Sequence, residues 1–241
     1  MILTNNTIHS IDFLKHFFPV SCYLVEEDES LTLVDAALPY SAKKIIRTAR
    51  LIGKPITKIV LTHGHEDHVG ALDKLKKILP DCTVYISRRD AKLLMGDLSL
   101  ESGEPELPIR GGAPKGIVTK PNILIKDGDR IGSLLAIGTP GHTPGSMSFI
   151  DIRNNSLIAG GAFQTRTGIA VSGQLKVLFP FPALATWNKQ ESVESARKIL
   201  EFNPQVLFVG HGKPLENPIP LIKQAILKAE KKLKSTRPRS V

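Results

Sequence analysis

The chain has 241 residues, of which 41% are hydrophobic and 23% charged, and carries a formal charge of +9. That composition belongs to a globular protein long enough to bury a substantial core, and excludes a disordered tail, a collagen or a small disulfide scaffold. No apolar stretch reaches the roughly 20 residues that cross a bilayer, and Met1 to Ser10 lacks the basic-then-apolar order of an export signal, so no membrane association and a cytoplasmic location are expected.

In chain order, Cys22 to Glu26 and Leu31 to Asp35 are apolar runs around the acidic turn Glu27-Asp28-Glu29, which predicts a hairpin. Ala42, Ile45, Ile46 and Ala49 then follow helical spacing. Thr57 to Thr62 (TKIVLT) is a β-branched run suited to a buried strand, and Leu72, Leu75, Ile78 and Leu79 mark a second amphipathic helix. Thr83 to Ile86 predicts another strand, and Asp90 is expected to cap a short helix running through Met95. The Gly- and Pro-rich segment 96–122 has no clear periodicity; segments of this kind are often lids or binding loops, with plain surface loop as the default reading.

The second part is expected to begin with strands at Ile123 to Ile125 and Leu134 to Thr139. Met147 to Asp151 and Ser156 to Ala159 flank an Asn154-Asn155 turn as a second hairpin. Gln205 to Gly210 is a further buried strand, and helices are predicted at Val193 to Phe202 and through Ile222, Ala225, Ile226, Ala229 and Leu233. SCYLVEEDESLTLVDA from Ser21 and SMSFIDIRNNSLIAGGA from Ser146 read as one unit used twice, with one residue of slippage. A duplicated half favours two sheets packed face to face with helices outside. Residues 1–234 are expected to form one domain of two similar halves, followed by a basic, frayed tail at 235–241.

The positive charge is concentrated at the end, with a net +6 between Lys223 and Arg239. No aromatic residue accompanies it there for base stacking, so a solvated terminus is preferred to nucleic-acid binding. Cys22 and Cys82 sit in apolar runs without a CxxC neighbour and are read as buried small residues.

Residues 62–70 read Thr-His-Gly-His-Glu-Asp-His-Val-Gly. Imidazoles packed so densely repel when protonated and gain little when buried neutral. A divalent cation resolves the conflict, since His nitrogen and Asp oxygen are good zinc ligands. His63 and His65 share a face of an extended segment, with Asp67 and His68 continuing into the turn before the next helix. His142 in TPGHTPGS and His211 in VGHGKP each follow a strand-like run in a Gly/Pro turn, where sites are commonly built. His9 is read as a surface residue, and His16 as packed or at the surface.

The HxHxDH run, the TPGHTPG turn and the GHG near the C-terminus resemble the metallo-β-lactamase-fold hydrolases, over about Ser21 to Pro214. The resemblance implies an α/β fold, an αββα four-layer sandwich of two mixed sheets, with a metal site at one edge. It places His63, His65 and His142 as ligands of a first zinc, and Asp67, His68 and His211 as ligands of a second. Asp35 matches an aspartate used structurally near that site and is not counted as a ligand. Dinuclear members carry a bridging aspartate where this chain has Gly161, so the second site is expected to be weakened and a single-metal enzyme becomes the sharper reading. Introducing aspartate there, as Gly161→Asp, is expected to raise metal stoichiometry.

The function implied is metal-dependent hydrolysis. A coordinated water acidified toward a pKa of ~7 serves as nucleophile, and Asp67 is the catalytic residue that orients it or shuttles its proton. The expected substrate is a small lactone or other ester. The alternatives are a thioester or phosphodiester hydrolase of the same fold, or an inactive metal-binding relative. Phe163 and the run from Val177 to Trp187 are candidates for an apolar wall beside the metal, with core packing as the competing reading.

Overall fold

The computed structural model describes residues 3–5 and 7–236. Fifteen strands and seven helices follow in chain order. They are β1 (Leu3–Asn5), β2 (Ile8–Phe13), β3 (Val20–Glu26), β4 (Leu31–Val34), α1 (Ala42–Ile52), β5 (Ile56–Val60), α2 (Glu66–Val69) and α3 (Leu72–Ile78). Next come β6 (Thr83–Ser87), α4 (Arg88–Leu94), β7 (Ile123–Ile125), β8 (Arg130–Ile131), β9 (Leu134–Gly138), β10 (Met147–Asp151) and β11 (Ser156–Ile158). The chain ends with β12 (Phe163–Gln164), β13 (Ala170–Val171), α5 (Phe181–Leu184), α6 (Lys189–Glu201), β14 (Val206–Phe208), β15 (Leu215–Glu216) and α7 (Ile219–Thr236).

Two mixed sheets carry the fold. The first runs β1-β2-β3-β4-β5-β6-β7, and the second β15-β14-β11-β10-β9-β8. Their period-two alternation sorts side chains into three apolar layers. On β3, Cys22 and Leu24 face outward against α1 and α3, while Tyr23 and Val25 face the other sheet. On β14, Leu207 faces outward with α6 and α7, while Val206 and Phe208 face inward. Met147, Phe149 and Ile158 meet Val34, Val60 and Ile125 in the layer between the sheets. The result is helix, sheet, sheet, helix: the four-layer αββα sandwich. Phe149 is wholly buried in the middle layer, where truncation to alanine costs roughly 3–5 kcal/mol.

The two hairpins read from sequence sit in equivalent places. β3 and β4 pair antiparallel and β4 then pairs parallel with β5. β10 and β11 pair antiparallel and β11 then pairs parallel with β14. Each unit leaves its second strand through a left-handed residue, Asp35 (φ 63°) in one and Gly160 (φ 52°) in the other. Both departures carry the chain to the edge where the histidines gather.

Several elements differ from the sequence expectation. Ile123–Ile125 pairs in parallel with β6 and closes the first sheet rather than opening the second. The β1–β2 hairpin was not legible, because His9 and Ser10 are buried on a strand whose polar residues break the alternation. His9 is therefore not a surface residue; its ring nitrogen Nε2 lies 3.1 Å from Glu26 Oε2. Helix α4 is capped by Ser87, whose Oγ accepts from the Asp90 amide, while Asp90 lies inside the helix and is wholly buried. Helix α7 continues through Ser235 and Thr236, the first two residues of the predicted tail, and 237–241 lie outside the described residues. Both cysteines are buried free thiols. Among the described residues no helix is long and apolar enough to cross a membrane.

Candidate metal centre

The strand β5 ends at Val60, and residues 61–65 turn toward the short helix α2, delivering His63 and His65 and then Asp67 and His68. The turn after β9 supplies His142, and the turn after β14 supplies His211. All six sequence-predicted residues converge. The ligand atoms of His63, His65 and His142 lie within 4.8 Å of one another, as do those of Asp67, His68 and His211. The two groups adjoin through His63 and His68, whose ring centroids are 4.2 Å apart.

The outward nitrogen of each imidazole meets an acceptor, which fixes its tautomer. His65 Nε2 donates to the Arg110 carbonyl (2.8 Å), His68 Nδ1 to Asp35 Oδ2 (2.8 Å) and His211 Nδ1 to the Pro19 carbonyl (2.8 Å). Thr62 Oγ1 donates its only proton to Asp35 Oδ2, so His63 Nδ1 must donate to Thr62 Oγ1 at 2.8 Å. A relay of the same kind orients His142. Thr186 Oγ1 donates to the Pro182 carbonyl, Ser172 Oγ to Thr186, and His142 Nδ1 to Ser172 Oγ (3.0 Å).

In the neutral rings the five inward nitrogens carry lone pairs and no protons. His63 Nε2 and His68 Nε2 are buried without a hydrogen-bond partner. His65 Nδ1 and His142 Nε2 face each other at 3.1 Å, two lone pairs that repel unless an electrophile lies between them. A divalent cation fits this donor set, and the neutral-nitrogen, carboxylate-oxygen chemistry suits zinc and its first-row neighbours.

Electrostatics separate the two groups. Burial pushes His63 and His142 well below the usual imidazole range and His65 down to about 4, keeping the triad neutral. Burial also lowers His211. His68 goes the other way, since the charges of Asp67 and Asp35 outweigh its burial and raise it. Asp67 stays ionised for the reciprocal reason: the imidazoles of His68, His211 and His65 outweigh its desolvation. Its Oδ2 lies 3.5 Å from His211 Nε2 and 3.8 Å from His68 Nε2, with part of the side chain open to the cleft.

Three further features support the site, and the part played by Asp90 was not legible in the sequence. Asp90 ties the loops of the two halves together, accepting from the Gly64 and Gly145 amides (both 2.8 Å) and from Thr143 Oγ1 (2.7 Å). The segment 96–122 is a strap over the site, whose Gly111 (φ 95°) leaves room for no side chain, since a Cβ there would lie 2.3 Å from His65 Nε2. Gly161 plays the matching part for His142: a Cβ would lie 2.3 Å from His142 Cδ2. The His142 ring thus fills the space a side chain at 161 would take.

A cleft of about 460 Å³ opens beside His65, Asp67, His142 and His211. Phe18, Leu38, Pro39, Phe181, Pro182, Leu184 and Ala185 give it apolar walls, and Glu66 adds a second carboxylate beside Asp67. The predicted apolar wall is therefore partly real. Phe181 to Ala185 supply it, but Phe163 and Trp187 are buried elsewhere, and Val177 and Leu178 point into solvent. No Lys or Arg is among the lining residues.

The comparisons with known proteins agree with this architecture. A protein of Bacillus subtilis (strain 168), YobT, is 57% identical over 225 residues, covering 93% of this chain and 97% of its own. The probable metallo-hydrolase YflN of the same strain is 30% identical over 215 residues, covering 80% of this chain and 79% of its own. The crystal structure of TTHA1623 in a di-iron-bound form superposes with a TM-score of 0.62 at 22% identity, covering 91% of this chain and 96% of that one. The family model of the metallo-beta-lactamase superfamily matches residues 17–211, the span that holds all five converging histidines. With fold, ligand geometry and sequence profile in accord, the chain belongs to the metallo-beta-lactamase superfamily.

Proposed function

We propose that this protein is a metal-dependent hydrolase of uncharged, apolar esters or lactones. The observation that carries the reading is the set of five inward imidazole nitrogens beside a cleft lined mainly by apolar side chains, whose charged groups are the carboxylates of Glu66 and Asp67 and which lacks Lys or Arg. A β-lactam carboxylate, a glutathione thioester or a phosphodiester brings negative charge that such walls leave unpaired. An acyl chain or lactone ring gains from them instead.

His63, His65 and His142 would hold the principal cation, with zinc favoured by three neutral nitrogens, and Asp67, His68 and His211 a second. A cation held by these residues would supply Lewis acidity, bringing the pKa of water toward neutrality and polarising the ester oxygen. Asp67 takes up the proton of the attacking water at Oδ2 and returns it to the leaving alkoxide, the role its ionised state and position at the cleft suit. Phe181, Pro182 and Leu184 exclude water around the acyl group.

The same geometry favours one tight ion over two. Two dications a few ångströms apart need an anion between them, and the place at 161 is occupied by the His142 ring. The experiment is a panel of lactones, aryl esters, thioesters and phosphodiesters, assayed on chelator-stripped and metal-reconstituted protein. Metal-dependent turnover confined to neutral esters or lactones supports the reading. Preference for an anionic substrate overturns the substrate class, and full metal uptake with no turnover favours a binding module.

A further inference from the structure

Two loops beside the mouth of the cleft carry apolar side chains in the wrong place for a solvated surface. In the turn after β2, Phe17 is 78% exposed and Leu14 48%. In the segment before α5, Val177 is 87% and Leu178 85% exposed. The loops are neighbours, because Phe18 meets Phe181 edge-on at 5.2 Å and Phe179 at a tilt at 5.5 Å. Arg166 also donates to the His16 carbonyl at 2.7 Å, binding the first loop from below. Isolated exposed apolar residues are ordinary, but four on two adjoining loop tips mark a contact surface.

The surrounding charge is basic. Lys15, Arg166 and Lys213 line one recess of about 430 Å³ beneath the first loop. Asp12 in the same recess pairs with Lys15 at 3.1 Å, while no carboxylate among the described residues pairs with Arg166 or Lys213. Apolar tips that can sink between acyl chains, backed by cations at headgroup height, are the pattern of an interfacial membrane contact. Projecting loop tips fit a fluid surface better than the flat, interlocking face of a protein partner.

We propose that the tips at Leu14, Phe17, Val177 and Leu178 dock this protein on anionic lipid bilayers, with the cleft mouth facing the membrane. Phe18 and Phe181 join the tips to the cleft wall, so an acyl ester could pass from lipid to site without crossing water. That consequence rests on the ester reading above; the docking itself does not. The test therefore uses binding without turnover.

Chelator-stripped protein is sedimented with vesicles of phosphatidylcholine alone or mixed with phosphatidylglycerol. Wild type is expected to partition onto the anionic vesicles, and Phe17→Ser with Leu178→Ser to lower that partitioning about tenfold. Arg166→Gln with Lys213→Gln should lower it on anionic vesicles and change little on neutral ones. Because the Lys-rich α7 is untouched in both pairs, attraction through that helix alone would leave binding unchanged in the serine pair, and this overturns the proposal. So does absence of binding by wild type. Equally contrary is a wild-type dimer that becomes monomeric in the serine pair, since the patch is then an interface between copies. A thermal melt and circular-dichroism spectrum of the serine pair that match wild type report that it has folded; its residues do not line the cleft.

Discussion

The two halves of the metal centre are built from similar residues and solve different electrostatic problems. His63, His65 and His142 form an all-imidazole group held neutral by burial, each ring oriented by a carbonyl or hydroxyl. Asp67, His68 and His211 include a carboxylate, and a second carboxylate, Asp35, stands behind His68. The first group offers lone pairs without charge and the second adds a carboxylate, while both reach the cleft, through His65 and His142 and through Asp67 and His211. The difference teaches that ligand count alone does not set occupancy. In the proposed reading the triad holds the cation and Asp67 handles protons.

The sharpest way to break this comparison is to remove one imidazole from each side. His142→Ala is expected to strip the principal ion and lower kcat/KM on the order of 10³-fold or more, as water returns toward its bulk acidity. His211→Ala should retain one ion and lose no more than about tenfold. Metal content of the dialysed variants and steady-state kinetics check both; equal losses would erase the distinction. Asp67→Asn comes next, with kcat down about 10²-fold while the tight ion stays bound. Loss of that ion from Asp67→Asn would make Asp67 chiefly a ligand.

Position 161 gives a smaller effect. Even Gly161→Ala must push the His142 ring aside, so affinity for the tight ion is expected to fall about tenfold, as when a ligand's orienting partner is lost. Gly161→Asp meets the same obstacle, which revises the sequence-based expectation of a simple gain in stoichiometry. A second ion is expected only at the expense of the first site's affinity, as read by competition with a chelator. Undiminished affinity for the tight ion in either variant would show that His142 has room to move.

Acidification has the mildest effect, with one sign at His68 and the opposite sign at the other four imidazoles. In chelated protein, His63, His65, His142 and His211 are less basic than in the unfolded chain. The unfolded chain therefore binds more protons as pH falls from about 6.5 toward the value of about 4 held by His65, and stability drops over that interval. His68 is raised, so its contribution is full below about 6.5 and fades as pH climbs through its folded value. Four against one gives a net fall in Tm on acidification, checked by thermal melts of the chelated protein; a rise on acidification would contradict the burial argument.

Much of this was legible in the sequence because histidine is costly to cluster without a cation. The HxHxDH run and the two Gly/Pro turns named all six converging residues, and the apolar runs gave both hairpins. What stayed hidden depends on contacts between distant segments. Asp90 looks like a helix cap locally, yet its work is to join Gly64 to Gly145. The Arg110 carbonyl that orients His65 is backbone, invisible to any residue pattern. Ile123–Ile125 carries no local mark of the sheet it joins, and Phe163 is apolar in the core as it would be in a cleft.

The central claim is tested most directly by titrating chelator-stripped protein with zinc while following turnover of a neutral lactone or ester. The account predicts that activity rises linearly and saturates at one equivalent, with any second ion binding far more weakly and adding little. Activity that appears only with the second equivalent, or zinc uptake that never produces turnover of any neutral ester, would contradict it.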